Sequence, residues 1–238
     1  MSTLVYLVVF GNEIYKEFAD LTIASLKKTG YSGDIVVLCD TDYKFEGART
    51  IVFKEPSSNL YDLCMYRAKI LEFASGYDRY LYLDTDVIAV KSIDRLFKEL
   101  EVAEDPLIFL TPIELNKRNY KWYGGALYSQ EETIQEKVKP MCAGIFGFNK
   151  SNYDFLENWK TFYTDRKQDN NLLSVNDQSA LNSMVYLGID NIGIYDSRYI
   201  YYPKYQKEEG KDTILIHHCA KKDVKSKLKY LRERIACI

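Results

Sequence analysis

The sequence predicts an α/β fold, a mostly parallel, mixed sheet with helices on both faces. Three observations carry this reading. Short runs such as "LVYLVVF" (4–10) and "DIVVLCD" (34–40) are apolar throughout, as strands buried on both sides are. Segments with apolar residues spaced by three and four lie between them, the period of a helix packed on one face. At 238 residues with 47% apolar content, the chain can close one substantial core and suits one domain over two.

The elements follow in order. The first strand stops at Gly11-Asn12. In "EIYKEFADLTIASLKKTG", Ile14, Phe18, Leu21 and Ala24 keep helical spacing, and Gly30 ends the helix. Strands are predicted over 34–40 and in "ARTIVFK" (48–54). "LYDLCMYRAKILEFA" (60–74) reads as one helix closed by Gly76, and "RYLYLD" (79–84) as the fourth strand. The second half is less regular. A strand in "DPLIFLTPIEL" leads into a polar, aromatic loop, "NKRNYKWYGGALYSQEE". A Gly-punctuated strand, "PMCAGIFGFNK", precedes helices in "SNYDFLENWKTFYTD" and "VNDQSALNSMVYLG", the latter with Asn176 or Asp177 near its cap. "IGIYDSRYIYYPKY" and "DTILIHHCA" read as strands, and "KKDVKSKLKYLRERI" as a basic terminal helix. No repeat, linker or low-complexity stretch divides the chain.

Composition excludes some classes. A net charge of −2 offers no global case for nucleic-acid binding. Five scattered cysteines without a C-x-x-C pair predict reduced thiols, not a disulfide framework or a zinc site. No apolar run approaches a membrane span and no cleavage signal is seen, which predicts a soluble, cytoplasmic protein. Tyrosine is over-represented, with 21 residues; its amphipathic ring suits sugar or base surfaces and half-buried strand positions alike.

"RYLYLDTDVIAV" (79–90) is the most informative stretch. A buried strand runs into Asp84 and Asp86, one residue apart, and ligands of parallel α/β sheets sit beyond such strand ends. Anions at a buried edge need a counter-charge. One reading is a divalent cation held by the carboxylates and shared with a diphosphate. Another makes Asp84 a phosphate-accepting nucleophile, as in haloacid-dehalogenase-type phosphatases. That motif sits on the first strand with Thr or Val in its fifth position; here it follows three strands and has Ile88. The third reading is a plain turn cap.

The longer block "YRAKILEFASGYDRYLYLDTDVIAVKSIDRLF" resembles the family 8 glycosyltransferases, which include glycogenin and bacterial lipopolysaccharide galactosyltransferases. Tyr77-Asp78, Leu83 to Asp86 and Ile93 to Phe97 match that family's pattern. "VVFGNEIY" resembles its first strand and nucleotide loop, "MCAGIFGFNKS" the segment behind the donor sugar with Cys142-Ala143 in place of a polar pair, and "NDQSALN" its G-D-Q-x-x-L-N. "IHHCAKK" resembles the terminal H-x-x-G-x-x-K, with Ala220 for Gly. The likeness runs from Val5 to about Lys222.

This resemblance implies a single-domain, Rossmann-like glycosyltransferase A-type fold over 1–238. A nucleotide-binding half would cover about 1–100, a sugar- and acceptor-binding half about 101–220, and a basic helix about 221–238. It implies a manganese (or magnesium) ion, a nucleotide diphosphate sugar donor such as UDP-glucose or UDP-galactose, a glycan, glycolipid or protein-linked glycan acceptor, and retention of configuration. Asp84, Asp86 and His217 would hold the metal, with His218 the alternative, since neighbours on a strand face opposite ways. Phe10, Asn12 and Tyr15 would approach the nucleoside, with Thr85 and Gly144 lining the donor site. Arg67 or Lys69 would reach the diphosphate or sugar, and Lys222 would close over the phosphates. Asp177 and Gln178 would lie at the sugar, Asp177 accepting from hydroxyls and Gln178 beside the anomeric carbon. Gln is a poor nucleophile, which favours a front-face route. "YIYYPKY" and "NYKWYGG" are candidate acceptor platforms. From Lys221 to Ile238, seven Lys and Arg oppose two acids; that helix would rest on an anionic membrane or stay solvated. The rival readings are an idle nucleotide-sugar-binding protein, given Cys142-Ala143 and the altered end, and the phosphatase.

Overall fold

A computed structural model describes residues 1–54, 60–112, 140–168, 176–219 and 223–238. Among these, β1 (Thr3–Val9), α1 (Glu13–Lys28), β2 (Asp34–Cys39) and β3 (Arg49–Val52) open the chain. Then come α2 (Leu60–Cys64), a 3-10 turn over Met65–Lys69, α3 (Ile70–Phe73), β4 (Arg79–Leu83), β5 (Val87–Ala89) and α4 (Asp94–Val102). The remainder comprises β6 (Leu107–Leu110), β7 (Met141–Asn149), α5 (Tyr153–Gln168), α6 (Asp177–Tyr186), β8 (Gly193–Ile194), β9 (Ile200–Tyr201), β10 (Leu215–His217) and α7 (Val224–Ala236).

Seven strands form a mixed sheet in the order β3-β2-β1-β4-β7-β6-β8. The first four run parallel, while β7 lies antiparallel to both β4 and β6. This is the predicted α/β class. Side-chain alternation divides the core between the two faces of the sheet. Val5, Leu7 and Val9 of β1 join Leu81 and Leu83 of β4 on the face covered by α1 and α4. Leu4, Tyr6 and Val8 join Tyr80 and Tyr82 on the other, under the 3-10 turn, α5 and α6. Many of the tyrosines are therefore core residues: Tyr6, Tyr80, Tyr82 and Tyr195 are all buried. Fully burying a large apolar side chain contributes about 1.5–3 kcal/mol.

A second, three-stranded sheet, β5-β10-β9, begins just after the C-terminal end of β4. α7 packs on it through Leu228 and Leu231, which meet Phe18, Ile88 and Ile216. This small sheet brings the chain's late residues back to the end of β4.

Two elements differ from the reading of the sequence. The stretch 60–74 is not one helix; its middle, Met65 to Lys69, tightens to 3-10. Side-chain bonds compete there for the helical hydrogen-bonding groups: Tyr6 of β1 donates its hydroxyl to the Arg67 carbonyl at 2.8 Å, and, within the segment, Arg67 Nε donates to the Cys64 carbonyl at 3.0 Å. Within 192–205, two two-residue strands flank a 3-10 turn at Ser197–Tyr199. There Tyr199 and Tyr202 are buried, so of that aromatic cluster they are packing residues; Tyr205 is exposed. The segment "NYKWYGG" lies outside the described residues.

Candidate active site

Alternation along β4 and the turn that follows it together explain how the two acids acquire different partners. Tyr82 faces the α5–α6 side, and Asp84, two residues on, follows it. The Tyr82 hydroxyl donates to Asp84 Oδ1 at 2.7 Å, and the Arg67 guanidinium lies 3.5 Å from the same oxygen. The turn then carries Asp86 to the other side. Its Oδ1 lies 3.3 Å from His217 Nε2, and its Oδ2 accepts from Lys227 Nζ.

The small sheet fixes that second pairing. β10 runs antiparallel to β5 with His217 opposite Val87, so His217 stands beside Asp86. The amide of His218 donates to the Asp86 carbonyl at 3.1 Å. As expected for strand neighbours, the two imidazoles part company. His217 is buried and faces the acids. His218 turns toward Tyr230 of α7, with ring centroids 5.2 Å apart. The other ring nitrogen of His217, Nδ1, lies 3.7 Å from Cys142 Sγ. Asp84, Asp86 and His217 thus offer ligand atoms all within 4.8 Å of one another. Two carboxylates and one imidazole form a donor set that could hold a divalent cation.

Space for this convergence depends on Gly144. The β4–β7 register pairs Leu83 with Ile145, and the Asp84 amide donates to the Gly144 carbonyl at 2.7 Å. Opposed residues of antiparallel strands project to one face. A Cβ at Gly144 would stand 2.4 Å from Asp84 Oδ2 and 3.1 Å from His217 Cε1. Gly144→Ala is therefore expected to lower Mn2+ affinity about tenfold or more in a Mn2+ titration, with the circular dichroism spectrum retained. Unchanged affinity would remove Gly144 as a determinant of the site.

Arg67 organises the opposite wall. It is buried, its Nη1 donates to the Ala143 carbonyl at 2.7 Å and lies 3.1 Å from Asp177 Oδ2. The guanidinium carbon sits 4.8 Å from the Tyr82 ring centroid, a cation–π contact. Burial opposes the arginine charge, but Tyr82, Asp177 and Asp84 together raise its pKa above the ordinary range. Burial also raises the Asp177 carboxyl, which Arg67 offsets only in part. At Asp86 burial acts in the same upward direction, yet His217 and Lys227 hold that carboxyl well below the usual carboxylate range. Burial would lower the His217 pKa; Asp86 and then Cys142 raise it well above its ordinary value.

The two candidates on the 60–74 segment separate. Arg67 reaches the acids, whereas Lys69 Nζ lies 4.4 Å from the Tyr66 ring centroid. At the start of α6, Asn176 forms a capping box with Ser179, so the Asn of "NDQ" is the cap and Asp177 is the first helical residue. Gln178 is engaged with β7, its Oε1 accepting from the Ala143 amide at 3.2 Å and its Nε2 donating to the Met141 carbonyl. Asn182 takes the Met141 amide at 2.8 Å. These amides satisfy backbone groups of β7 next to Gly144, and Trp159 Nε1 anchors the helix start through the Asp177 carbonyl at 3.0 Å.

Phe10, Asn12 and Tyr15 follow the end of β1. Phe10 is half-buried against the α5–α6 side of the core. Asn12 caps α1, accepting from the Ile14 amide at 3.1 Å, and Tyr15 is exposed. Gly11, at φ +78°, makes that turn, and its amide donates to Asp40 Oδ2 at 2.7 Å. Thr85 sits between the acids, its carbonyl accepting from Thr22 Oγ1 at 2.8 Å. Lys222 lies outside the described residues. Lys227 is the site residue that reading the sequence missed. The basic terminal helix suggests a solvated or membrane-facing surface, yet this lysine turns inward to Asp86. A signal was present: residues 227 and 231 are one helical turn apart, which puts Lys227 on the apolar face with Leu231.

No protein-family model matches the sequence, and no curated protein matches it. Solved structures do match the backbone. One is the galactosyltransferase LgtC in complex with donor and acceptor sugar analogues, at 13% identity and TM-score 0.64, covering 99% of this chain and 96% of that one. A glycosyltransferase involved in glycosylation of the major capsid of PBCV-1 matches at 13% identity and TM-score 0.64, over 98% of this chain and 100% of that one. An active-site mutant of LgtC matches at 13% identity and TM-score 0.63, over 98% and 95%. The described residues have the glycosyltransferase A-type fold of these proteins. Among the described residues no helix is long and apolar enough to cross a membrane.

Proposed function

We propose that this chain is a metal-dependent glycosyltransferase that moves a hexose from a nucleoside diphosphate sugar to a hydroxyl acceptor with retention of configuration. The observation that carries the reading is the convergence of Asp84, Asp86 and His217 at the outgoing edge of the parallel strands. It occurs in a backbone that matches sugar-transferring enzymes along its whole length. Fold alone does not assign chemistry; the donor set at the strand end is what supports it. The manganese or magnesium these residues would hold supplies charge neutralisation for the departing diphosphate.

The chain's own groups would do the rest. Arg67 sets the wall between the acids and α6, and its charge partly offsets the burial of Asp177 and so favours the ionised carboxylate, which would accept from donor-sugar hydroxyls. Gln178, tied to β7, would offer a fixed amide near the anomeric carbon. Its bonds to Ala143 and Met141 suit a positioning role, and an amide is a poor nucleophile, which favours the front-face route. On the front-face route the C1–O bond to the diphosphate breaks as the acceptor oxygen bonds to C1. The acceptor proton passes to the departing diphosphate oxygen. Phe10, Asn12 and Tyr15, beside the exit of β1, would receive the nucleoside, and Thr85 and Gly144 would border the sugar. Lys222 remains a candidate for the phosphates. The acceptor would be a glycan, glycolipid or protein-linked glycan.

The test is release of uridine diphosphate from UDP-glucose and UDP-galactose with a panel of sugar acceptors. Turnover is expected with Mn2+ and is expected to vanish with a chelator, returning on Mn2+ addition. Nucleotide binding without release under every acceptor would indicate an idle binding protein. Hydrolysis of a generic phosphate ester with phosphate trapped on Asp84 would indicate the phosphatase instead.

A further inference from the structure

Lys227 is an unusual constituent of a basic surface helix. Its side chain is only 8% exposed, and its ammonium donates to Asp86 Oδ2. The Phe18 ring of α1 walls it in, 4.7 Å from Nζ to the ring centroid. Leu228 and Leu231 bury the same stretch of α7 against the small sheet. Helix α7 is also tied to α1 at its far end, where Lys28 Nζ donates to the Ile235 carbonyl at 2.7 Å and Arg232 pairs with Glu17 at 2.9 Å. The lysine is therefore held in place, and a buried ammonium is stable only where it is paired.

Its position bears on the charge of the whole cluster. The carboxylates Asp84, Asp86 and Asp177 face Arg67 on one side and Lys227 on the other. His217 occupies the remaining oxygen of Asp86. The acids are thus largely neutralised by the chain itself. A divalent cation arriving alone meets a site with little net negative charge and a fixed ammonium of like sign. A cation arriving with a nucleoside diphosphate meets the same ammonium, but the added phosphate charge reverses the balance.

We infer that Lys227 is the resident cation of this site and makes capture of the divalent ion depend on the nucleotide. Without Lys227 the acids would bind a bare cation tightly; with it, metal and diphosphate load as a pair. This rests on the metal reading of Asp84, Asp86 and His217.

The experiment measures Mn2+ uptake by the full chain from the electron paramagnetic resonance of free aquo-Mn2+, with and without uridine diphosphate, after subtracting the Mn2+ that the nucleotide binds in a protein-free titration. Lys227→Met keeps the length of the side chain and its contact with Phe18, and Lys227→Arg keeps the charge. Wild-type protein is expected to bind Mn2+ at least about tenfold more tightly when uridine diphosphate is present. Lys227→Met is expected to bind bare Mn2+ about tenfold more tightly than wild type and to gain much less from the nucleotide. Lys227→Arg is expected to follow wild type. Unchanged or weaker bare-ion affinity in a folded Lys227→Met protein overturns the inference and leaves the metal site standing. Should that variant not fold, the wild-type measurement decides: equal Mn2+ affinity with and without the nucleotide overturns it. No Mn2+ uptake by any of these proteins under either condition removes the metal reading itself, and this inference with it.

Discussion

Exchanging Asp84 and Asp86 together for asparagine is expected to lower hexosyl transfer by on the order of a thousandfold or more. Asparagine keeps the size and most hydrogen bonds of each acid but removes the charge that a hard cation requires. Two structural losses accompany the chemical one. Tyr82 keeps an acceptor at residue 84, but Arg67 loses one of its two carboxylate partners. Lys227 loses its carboxylate altogether and remains buried. Removing one member of a buried pair costs about 3–5 kcal/mol, so the metal-free variant is expected to melt well below wild type. Calorimetric titration of uridine diphosphate in saturating Mn2+ provides the decisive measurement. An affinity equal to that of wild type would show that the acids do not anchor the nucleotide, whatever became of turnover. The single variants should divide the effects: Asp86→Asn carries the greater loss of stability, because its carboxylate serves both His217 and Lys227.

The second large effect is expected at Arg67. Its guanidinium joins the 3-10 turn, β7, the end of β4 and the start of α6 through Cys64, Ala143, Asp84 and Asp177. Arg67→Met preserves bulk against Tyr82 but leaves Asp177 buried without its counter-charge and two carbonyls without that donor. A loss of about 3–5 kcal/mol follows, equivalent to a fall of roughly 10 °C in melting temperature for a chain of this size. Adding Asp177→Asn should recover part of that loss, since the residual penalty is an unpaired anion. Transfer activity should not recover, because the carboxylate proposed to accept from the sugar hydroxyls is then gone. Thermal melts of the single and double variants test the coupling; strictly additive losses would show that the pair is not an energetic unit.

How far the sequence could be read depends on whether a segment's behaviour is set locally. β1, β2 and β4 are continuous apolar runs, and such runs declare themselves. Asn12 and Asn176 sit where caps are favoured, and both accept from the first turn of their helices. The spacing of Asp84 and Asp86 beyond a buried strand pointed to the outgoing edge of the sheet. Long-range partners were less visible. The break at Met65–Lys69 is made by Tyr6 and by Arg67's bonds to other elements, which no local periodicity encodes. The separation of His217 from His218 follows from the β5–β10 register, so His218 stayed open as the alternative to the favoured His217 until that pairing was known. Lys227 lay hidden among like residues on α7; only its place on the leucine face distinguished it from Lys225 and Lys229, which are exposed.

The joining of α7 to α1 also has a temporal side. During translation, Asp84 and Asp86 leave the ribosome about 130 residues ahead of His217, and Lys227 emerges later still. A nascent chain can assemble the parallel strands while its acids lack both the imidazole and the ammonium that they meet in the finished molecule. On the proposed metal reading, ribosome-stalled intermediates that end before His217 has emerged should hold manganese weakly, and those that expose His217 but not yet Lys227 should hold the bare ion more tightly than the finished chain does.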